Sequence, residues 1–107
     1  MPYVLVFLRG GENAEGEQLH ALAHERFISS LIKRNVVLLG GAFAKAIDDA
    51  YAAYLLRCSA IDEARGLVAE DPFVVHGVAR PECVEWKLVG VNPEAIEASA
   101  VIRPEDV

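Results

Sequence analysis

Hydrophobic positions along the chain form four short runs that are rich in β-branched, aromatic and leucine residues. Runs of this length, bounded by glycine and charged residues, are typical of β-strands. They predict strands at 3–8, 36–43, 50–58 and 82–89. Between these runs lie two stretches in which apolar residues recur at helical spacing. The predicted order of elements is therefore β-α-β-β-α-β.

The ends of the two helices are marked by local signals. The first helix, predicted over 16–34, ends in Lys33-Arg34-Asn35, where two cations suit the helix dipole and asparagine tolerates a left-handed cap. The second begins after Ser59-Ala60-Ile61-Asp62, which resembles a capping box, and Asp71-Pro72 is expected to stop it. Asn92-Pro93 predicts a last short helix that runs to about Ser99.

The order of elements predicts an α+β fold of the ferredoxin-like βαββαβ type, a four-stranded antiparallel sheet with two helices on one face. The other face should be polar if it meets water. The first strand argues against this, because Tyr3, Leu5 and Phe7 alternate with residues that are equally apolar. A second sheet is the simplest cover. We therefore expect a homodimer whose sheets pack face to face.

Composition limits the classes of partner. The 107 residues suffice for one domain with one core. Ten basic residues against sixteen acidic ones give a net charge of −6, and only Lys33-Arg34 places two cations side by side. Because binding to nucleic acid or to an anionic membrane needs a basic surface, we expect neither partner.

The cysteines and the opening segment both point to the cytoplasm. Cys58 and Cys83 fall on strands that the first strand separates, and two strand spacings of about 9.6 Å exceed the reach of a disulfide. We therefore expect two free thiols. The segment MPYVLVFLRGG has no basic residue before its apolar run, unlike a secretory signal.

Several segments resemble the YCII-related (YciI-like) family, in the family's order, from residue 3 to about residue 90. The most specific are a helix histidine and an Asp-Pro-aromatic element. The segments are His24-Glu25-Arg26-Phe27, Val36-Val37-Leu38-Leu39-Gly40-Gly41, Ala69-Glu70-Asp71-Pro72-Phe73, Gly77 and Trp86-Lys87-Leu88-Val89-Gly90. The resemblance implies a dimeric α/β-barrel fold, with a family domain at 1–90 and a tail at 91–107. The chain departs from the family pattern at Asn35, where a glycine is usual, and at Ala42, where a proline is frequent.

The resemblance also implies a His/Asp active site, which falls here on His24 and Asp71. On a helical wheel of about 100° per residue, His24 shares an apolar stripe with Ile28 and Leu31 that should face the sheet. A histidine paired with a carboxylate holds and exchanges a proton, as a general acid or base must. The residues alone leave two alternatives open: a core histidine bound to a backbone carbonyl, and an aspartate that serves a turn before proline.

Four further residues are predicted to contact a small organic ligand, namely His20, Tyr51, Phe73 and His76. His20 lies one turn before His24 on the same stripe, and His76 falls at the rim in the loop before the last strand. The spacing of His20 and His24 also suits two metal ligands, which leaves a metal-dependent enzyme as a weaker third alternative, but no neighbouring residue completes a recognised metal motif. We expect neither a metal nor another cofactor.

Two classes of function follow. The first is a small cofactor-independent enzyme, an isomerase or a lyase of the dehydrochlorinase type, a dehydrochlorinase being among the few family members of known activity. In it His24 transfers a proton on a small organic molecule, and Asp71 orients or charge-balances the imidazole. The second is a non-catalytic dimeric module that binds a small molecule in the same pocket. Conversion of the bound molecule distinguishes the two.

Overall fold

Four strands and three helices form the part of the chain that the computed structural model describes, residues 2–95. The elements are β1 (Tyr3–Gly10), α1 (Glu17–Lys33), β2 (Val37–Ile47), β3 (Ala50–Arg57), α2 (Ile61–Val68), α3 (Pro72–Val75) and β4 (Ala79–Trp86). Short 3₁₀ helices lie at Ala14–Gly16 and Pro93–Ala95. The predicted order is confirmed, with α3 as an additional short helix.

The strands form one antiparallel sheet in the order β2-β3-β1-β4. This is the predicted ferredoxin-like α+β arrangement. Val4, Val6 and Leu8 of the central strand β1 are at most 1% exposed. They pack in one core with Leu31 of α1 and Val68 of α2, because both helices lie over the same face of the sheet.

The face of the sheet away from this core is also apolar. Leu5 of β1 pairs with Leu55 on one side and Val84 on the other, and Trp86 pairs with Tyr3. Val84 and Trp86 are 42% and 47% exposed. The most regularly alternating strand, β4, therefore turns its apolar side chains away from the helices. We call this surface the open face.

The bounds of β4 differ from the predicted 82–89. Ala79 already pairs with Gly10, and the pairing ends where Trp86 meets Tyr3 at the start of β1. Pro81 interrupts the pattern in sequence but fits the structure, because β4 is an edge strand and can lack one N–H. The length of the neighbouring strand, more than the local pattern, sets where β4 begins and ends.

The second strand is longer than the predicted 36–43. The predicted turn is present at Asp48 and Asp49, and Asp48 adopts a positive φ of 54°. Because this turn is tight, Ile47 lies opposite Ala50 and the pairing of β2 with β3 resumes after an irregularity that follows Ala42. The hairpin therefore extends β2 to Ile47.

The helix-end signals are partly confirmed. Asn35 follows α1 with a φ of 60°, the left-handed conformation that was predicted for it. The capping box is wrong: the Ser59 N–H donates to Glu63 at 3.2 Å, and the Ser59 hydroxyl donates to the same carboxylate. Asp62 instead pairs with Arg65 at 3.0 Å. Glu63, one residue later and one methylene longer, reaches back to Ser59.

The two cysteines, Cys58 and Cys83, are free thiols, as expected. The Asn92 side chain accepts a hydrogen bond from the Glu94 N–H at 3.2 Å, and the predicted last helix is described only as far as Ala95. Its continuation to about Ser99 lies outside the described residues, and the division at residue 90 stays a prediction. Within residues 2–95 no helix is long and apolar enough to cross a bilayer.

Candidate active site

Asp71 begins a helix rather than only ending one. It is the N-cap of α3, and its Oδ1 accepts a hydrogen bond from the Phe73 N–H at 2.9 Å. Pro72 occupies the first helical position, where a missing N–H is harmless. The Asp71 side chain is 0% exposed. The short helix therefore fixes a buried carboxyl group at a defined place beneath α1.

His24 binds this carboxyl group from α1. Its Nδ1 lies 2.8 Å from Asp71 Oδ1 and 3.0 Å from Oδ2, and its side chain is 17% exposed. Because an ionised carboxylate only accepts hydrogen bonds, Nδ1 carries the proton and donates it. The second ring nitrogen, Nε2, is then the atom that accepts or releases a proton. The fold thus brings together the two residues that the family resemblance implied as a pair.

Phe73 holds the plane of the imidazole. Its ring stacks on that of His24 with 4.1 Å between centroids and 3° between planes. Since Phe73 is 4% exposed and also donates its N–H to Asp71, one short helix contacts His24 from two directions. The ring of His24 is therefore oriented by a carboxylate at its edge and by an aromatic ring on its face.

The hydroxyl group of Tyr54 also approaches the carboxyl group of Asp71. Its hydroxyl lies 3.5 Å from Oδ2, the far limit of a hydrogen bond. Burial, followed by the negative charge of Asp71, raises the pKa of Tyr54. Tyr54 sits tightly against β2, because a Cβ added at Gly40 would lie 2.6 Å from the Tyr54 Cβ. Gly40 therefore permits the close approach of β2 and β3 at Tyr54.

His20 and His76 meet one helical turn away from this pair. Their rings stack with 3.9 Å between centroids and 5° between planes. The backbone of the His76 loop is held by the segment after β1: the Asn13 amide donates to the His76 carbonyl at 3.2 Å, and the Asn13 N–H donates to the Gly77 carbonyl at 2.8 Å. The predicted rim histidine is thus fixed against α1.

Tyr51 packs against the core on the helical side of the sheet. Its hydroxyl oxygen is buried and has no hydrogen-bond partner among the described residues. Burial, together with the charges of Glu17 and Asp71, raises the pKa of Tyr51 to about 12. The hydroxyl is therefore an un-ionised donor at neutral pH.

Five of the six predicted site residues form two contacting groups, and the sixth, Tyr51, belongs to neither group. His24, Asp71 and Phe73 contact one another, His20 contacts His76, and Tyr51 interacts electrostatically with Asp71. The two histidines considered as metal ligands turn to different partners. Among residues 2–95, no three His, Cys, Asp or Glu side chains are grouped to hold a metal ion.

Two contributing residues were missing from the predicted site. They are Tyr54, which lies beside Asp71, and Asn13, which holds the His76 loop. The glycine at position 77 is a sequence signal for the contact of Asn13. Gly77 has a φ of 72°, which shapes the loop, and its carbonyl accepts a hydrogen bond from the Asn13 N–H. No sequence signal marks Tyr54, because its contact with Asp71 depends on the distance between β3 and the start of α3 in the folded protein.

Two cavities lie elsewhere on the described chain. One follows the C-terminal half of α1 and is lined by Arg26, Ser29, Ser30, Lys33 and Arg34. The other, of about 340 Å³, lies on the open face and is lined by Tyr3, Leu38, Leu39, Leu55, Leu88, Val91 and Pro93. Neither includes a predicted site residue.

The comparisons with known proteins identify the fold. No protein-family model matches the chain, and no curated protein matches its sequence. Among solved structures, the fold is similar to that of 5-chloro-2-hydroxyhydroquinone dehydrochlorinase (TftG) from Burkholderia phenoliruptrix AC1100, in complex with 2,5-dihydroxybenzoquinone. The likeness has a TM-score of 0.65 at 18% identity and covers 79% of this chain and 93% of that chain. At this identity the likeness shows the fold alone, the α+β arrangement of a four-stranded antiparallel sheet with helices on one face.

Proposed function

We propose that this protein is a small enzyme that transfers a proton on a small organic molecule, with His24 as acid and base and Asp71 as the residue that orients it. The observation that carries the proposal is the 2.8 Å contact between His24 Nδ1 and the fully buried carboxyl group of Asp71. A buried carboxylate is costly unless donors surround it. Here the donors are the imidazole and the Phe73 N–H.

The proposed chemistry follows from this arrangement. Asp71 keeps the proton on Nδ1, so Nε2 faces the reaction as the base. When Nε2 takes a proton from substrate, the carboxylate stabilises the imidazolium that forms. Return of the proton to another atom completes an isomerisation. Departure of a leaving group with its bonding electron pair completes an elimination of the lyase type instead. Neither route requires a cofactor.

The structural likeness supports this class of reaction. TftG is a dehydrochlorinase, and its solved complex holds a small dihydroxyquinone. Together with the Asp-Pro-aromatic element and the helix histidine, the likeness supports membership of the YCII-related family. We propose that His20, Tyr51, Phe73 and His76 line the ligand site around His24, and that the enzyme works in the cytoplasm with Cys58 and Cys83 reduced.

Hydrogen exchange tests the proposal. The probe is 2,5-dihydroxybenzoquinone in D₂O, and NMR follows loss of its ring C–H signal. The wild-type protein should accelerate the exchange, and His24→Gln should lose the acceleration by about 100-fold, the usual contribution of a general base. Glu25→Gln, an exposed neighbour on α1, is the matched control and should retain it.

Two outcomes contradict the enzymatic proposal. Equal acceleration by His24→Gln and wild type would remove His24 from the reaction. Saturable binding of the quinone without accelerated exchange would favour the alternative function, a non-catalytic dimeric module that binds a small molecule.

We further propose that the protein is a homodimer that packs through the open face. Val84 and Trp86 on β4 are large, apolar and nearly half exposed on this face, and Leu39 on β2, at the opposite edge of the sheet, is 50% exposed. Leu5 and Leu55 lie between Val84 and Leu39 on the same face. Contiguous apolar surface of this kind marks an interface in soluble proteins. Two open faces packed together form the closed α/β barrel that the family resemblance implies.

A further inference from the structure

The hydroxyl group of Tyr54 has one hydrogen-bond partner within residues 2–95, the carboxyl group of Asp71. Tyr54 is 3% exposed, and its hydroxyl oxygen lies 3.5 Å from Asp71 Oδ2. Buried polar side-chain atoms in folded proteins nearly always form a hydrogen bond, because burial removes them from water. Since an ionised carboxylate only accepts hydrogen bonds, the Tyr54 hydroxyl is the donor. Asp71 therefore binds a third donor besides His24 and the Phe73 N–H.

The three donors are divided between the two carboxylate oxygens of Asp71. The Phe73 N–H reaches Oδ1 at 2.9 Å, whereas the Tyr54 hydroxyl reaches Oδ2. The His24 Nδ1 lies 2.8 Å from Oδ1 and 3.0 Å from Oδ2, so its proton is shared between both oxygens. Each oxygen thus accepts from the imidazole and from one other donor. At Oδ2, Tyr54 and His24 compete for the same negative charge.

Tyr54 approaches Asp71 from the sheet, whereas the other two donors approach it from helices. β3 lies between β2 and β1, and Tyr54 pairs with Gly40 on one side and with Val6 on the other. The Tyr54 side chain also belongs to the buried core beneath the helices. The part of the fold that holds this hydroxyl in place therefore differs from the parts that carry His24 and Asp71.

We propose that Tyr54 is a positioning residue that weakens the bond between His24 and Asp71 by taking part of the charge on Oδ2. The inference rests on the proposed function, in which His24 takes up a proton and then returns it. Two donors on one oxygen draw on the same negative charge, so each bond is weaker than it would be alone. A carboxylate shared in this way still orients the imidazole. It does not hold the imidazolium so strongly that return of the proton is impeded.

The Tyr54 hydroxyl keeps its own proton throughout. Burial raises its pKa, and the charge of Asp71 raises it further, because both disfavour the phenolate. The proton that moves in the proposed reaction is the one taken up and released at His24 Nε2. The bond between Nδ1 and its proton and the O–H bond of Tyr54 both stay intact. Tyr54 therefore acts on His24 through Asp71 and exchanges no proton with the substrate.

Two replacements at position 54 test the inference in opposite directions. The signal followed in ¹H–¹⁵N NMR is that of the His24 Nδ1–H proton, which moves downfield as its hydrogen bond becomes stronger. Tyr54→Phe removes the competing donor and should move this signal downfield. Replacement of Tyr54 by 3-fluorotyrosine, whose hydroxyl is a stronger donor, should move it upfield. Tyr3→Phe, which removes a hydroxyl on the open face, is the matched control and should leave the signal in place.

Opposite shifts separate this role from a purely structural one. A loss of packing at Tyr54 gives no reason for the two replacements to move the His24 signal in opposite directions. Unchanged Nδ1–H signals, or shifts in the same direction, would therefore contradict the inference. Because 3-fluorotyrosine keeps both the ring and the hydroxyl, it decides the matter even if Tyr54→Phe does not fold. An upfield shift then supports the inference, and no shift or a downfield shift rejects it.

Failure of this inference is distinguishable from failure of the proposed function. The Nδ1–H signal is measured on the free protein and reports on Tyr54, whereas exchange of 2,5-dihydroxybenzoquinone in D₂O reports on His24. Exchange that depends on His24, with a Nδ1–H signal that ignores both replacements, retains the function and rejects the role of Tyr54. Opposite shifts of the signal, without exchange that depends on His24, retain the shared carboxylate and reject the proton transfer.

Discussion

Asp71 accepts hydrogen bonds from two different elements with one side chain. It caps α3 through the Phe73 N–H and binds His24 through the Nδ1 proton. Because both donors meet a carboxyl group that is fully buried, the helix start and the site are stabilised together. Substitutions at this position can separate the two roles, since asparagine is as good an N-cap as aspartate.

We expect Asp71→Ala to be less stable than Asp71→Asn, and we expect both variants to lose the acceleration of proton exchange. Asp71→Ala loses the cap and leaves the His24 Nδ1–H unpaired, at a total cost of about 2–4 kcal/mol in the free energy of unfolding. Asp71→Asn keeps the cap and should cost at least about 1 kcal/mol less. Both should lose most of the acceleration of proton exchange, because neither supplies a negative charge to the imidazolium.

Urea unfolding and hydrogen exchange, measured on the same two variants, check this prediction. Equal destabilisation by alanine and asparagine would show that the cap contributes little. Full exchange activity in Asp71→Asn would show that the charge of Asp71 is not needed.

At the scale of single residues, the sequence indicated which residues to examine, but it did not indicate all the contacts that those residues make. His24 lies in an apolar stripe, and that pattern is visible in the sequence. Asp71 before proline suggested a helix stop, whereas the structure also makes it the start of the next helix. The contact between His24 and Asp71 joins elements 47 residues apart, so local pattern alone cannot predict its distance.

The pairing of β2 with β3 determines where Tyr54 lies relative to Asp71. Gly40 pairs with Tyr54, and there is no room for a Cβ between them. Gly41, the next residue, has nothing within 4 Å of the same added atom. Two adjacent glycines on one strand therefore have different steric surroundings.

We expect Gly40→Ala to destabilise the protein by about 1–3 kcal/mol, the usual cost of overpacking, and to move Tyr54 away from Asp71. Gly41→Ala is the matched control and should change the free energy of unfolding by less than about 1 kcal/mol. Thermal unfolding checks the stability, and the chemical shifts of the Tyr54 ring check the displacement. Equal effects of the two substitutions would contradict the close approach at Gly40.

Charged side chains tie the hairpin turn to the central strand. Arg9 donates to Glu82 and to Asp49, and Arg80 also pairs with Asp49. The hydrogen bond from Arg9 holds the pKa of Asp49 below its usual value of 3.8. A carboxylate with a lowered pKa in the folded state stabilises that state above its unfolded pKa, and the contribution is lost as the pH falls through the lowered value.

Asp49→Asn should therefore lower stability at neutral pH, and its difference from wild type should shrink as the pH falls below 3.8 and disappear below the lowered pKa of Asp49. The effect should also shrink at high salt, because these side chains are exposed to solvent. Urea unfolding at a series of pH values and at two ionic strengths measures both dependences. A stability difference that stays constant down to strongly acidic pH would contradict the ion-pair account.

At the scale of elements, the order and type of the main strands and helices could be predicted, whereas several of their ends could not. The predicted β4 began three residues late, because its start is set by pairing with Gly10. Strand ends depend on the length of the partner strand, which is not local information. The end of α1 was predictable, since Asn35 carries its own conformational preference.

At the scale of the whole molecule, one face of the sheet is covered by helices and the other is exposed. Helices cover one face, whereas the open face carries Trp86 and Val84 on the edge strand. Glu85, between them, lies on the helical side opposite Val4. Adjacent residues of β4 therefore report separately on the two sides of the sheet.

If the proposed dimer forms, we expect Trp86→Lys to convert it to a monomer, because the substitution places a charge on the apolar open face. Glu85→Lys changes charge by more than this substitution does, but on the other side of the sheet, and should remain dimeric. Sedimentation equilibrium gives the mass of each variant. A wild type that is monomeric at micromolar concentration, or a dimer unaffected by Trp86→Lys, would contradict packing through the open face.

The pairing of His24 with Asp71 is the central claim, and ¹⁵N NMR of the imidazoles tests it most directly. The ring nitrogens of His20, His24 and His76 are assigned and followed with pH in wild type and in Asp71→Asn. We predict that the neutral form of His24 in the wild type carries its proton on Nδ1, and that Asp71→Asn changes the ring ¹⁵N chemical shifts of His24 more than those of His20 or His76. A neutral His24 that carries its proton on Nε2, or ring ¹⁵N shifts of His24 that are identical in both proteins, would contradict the pairing.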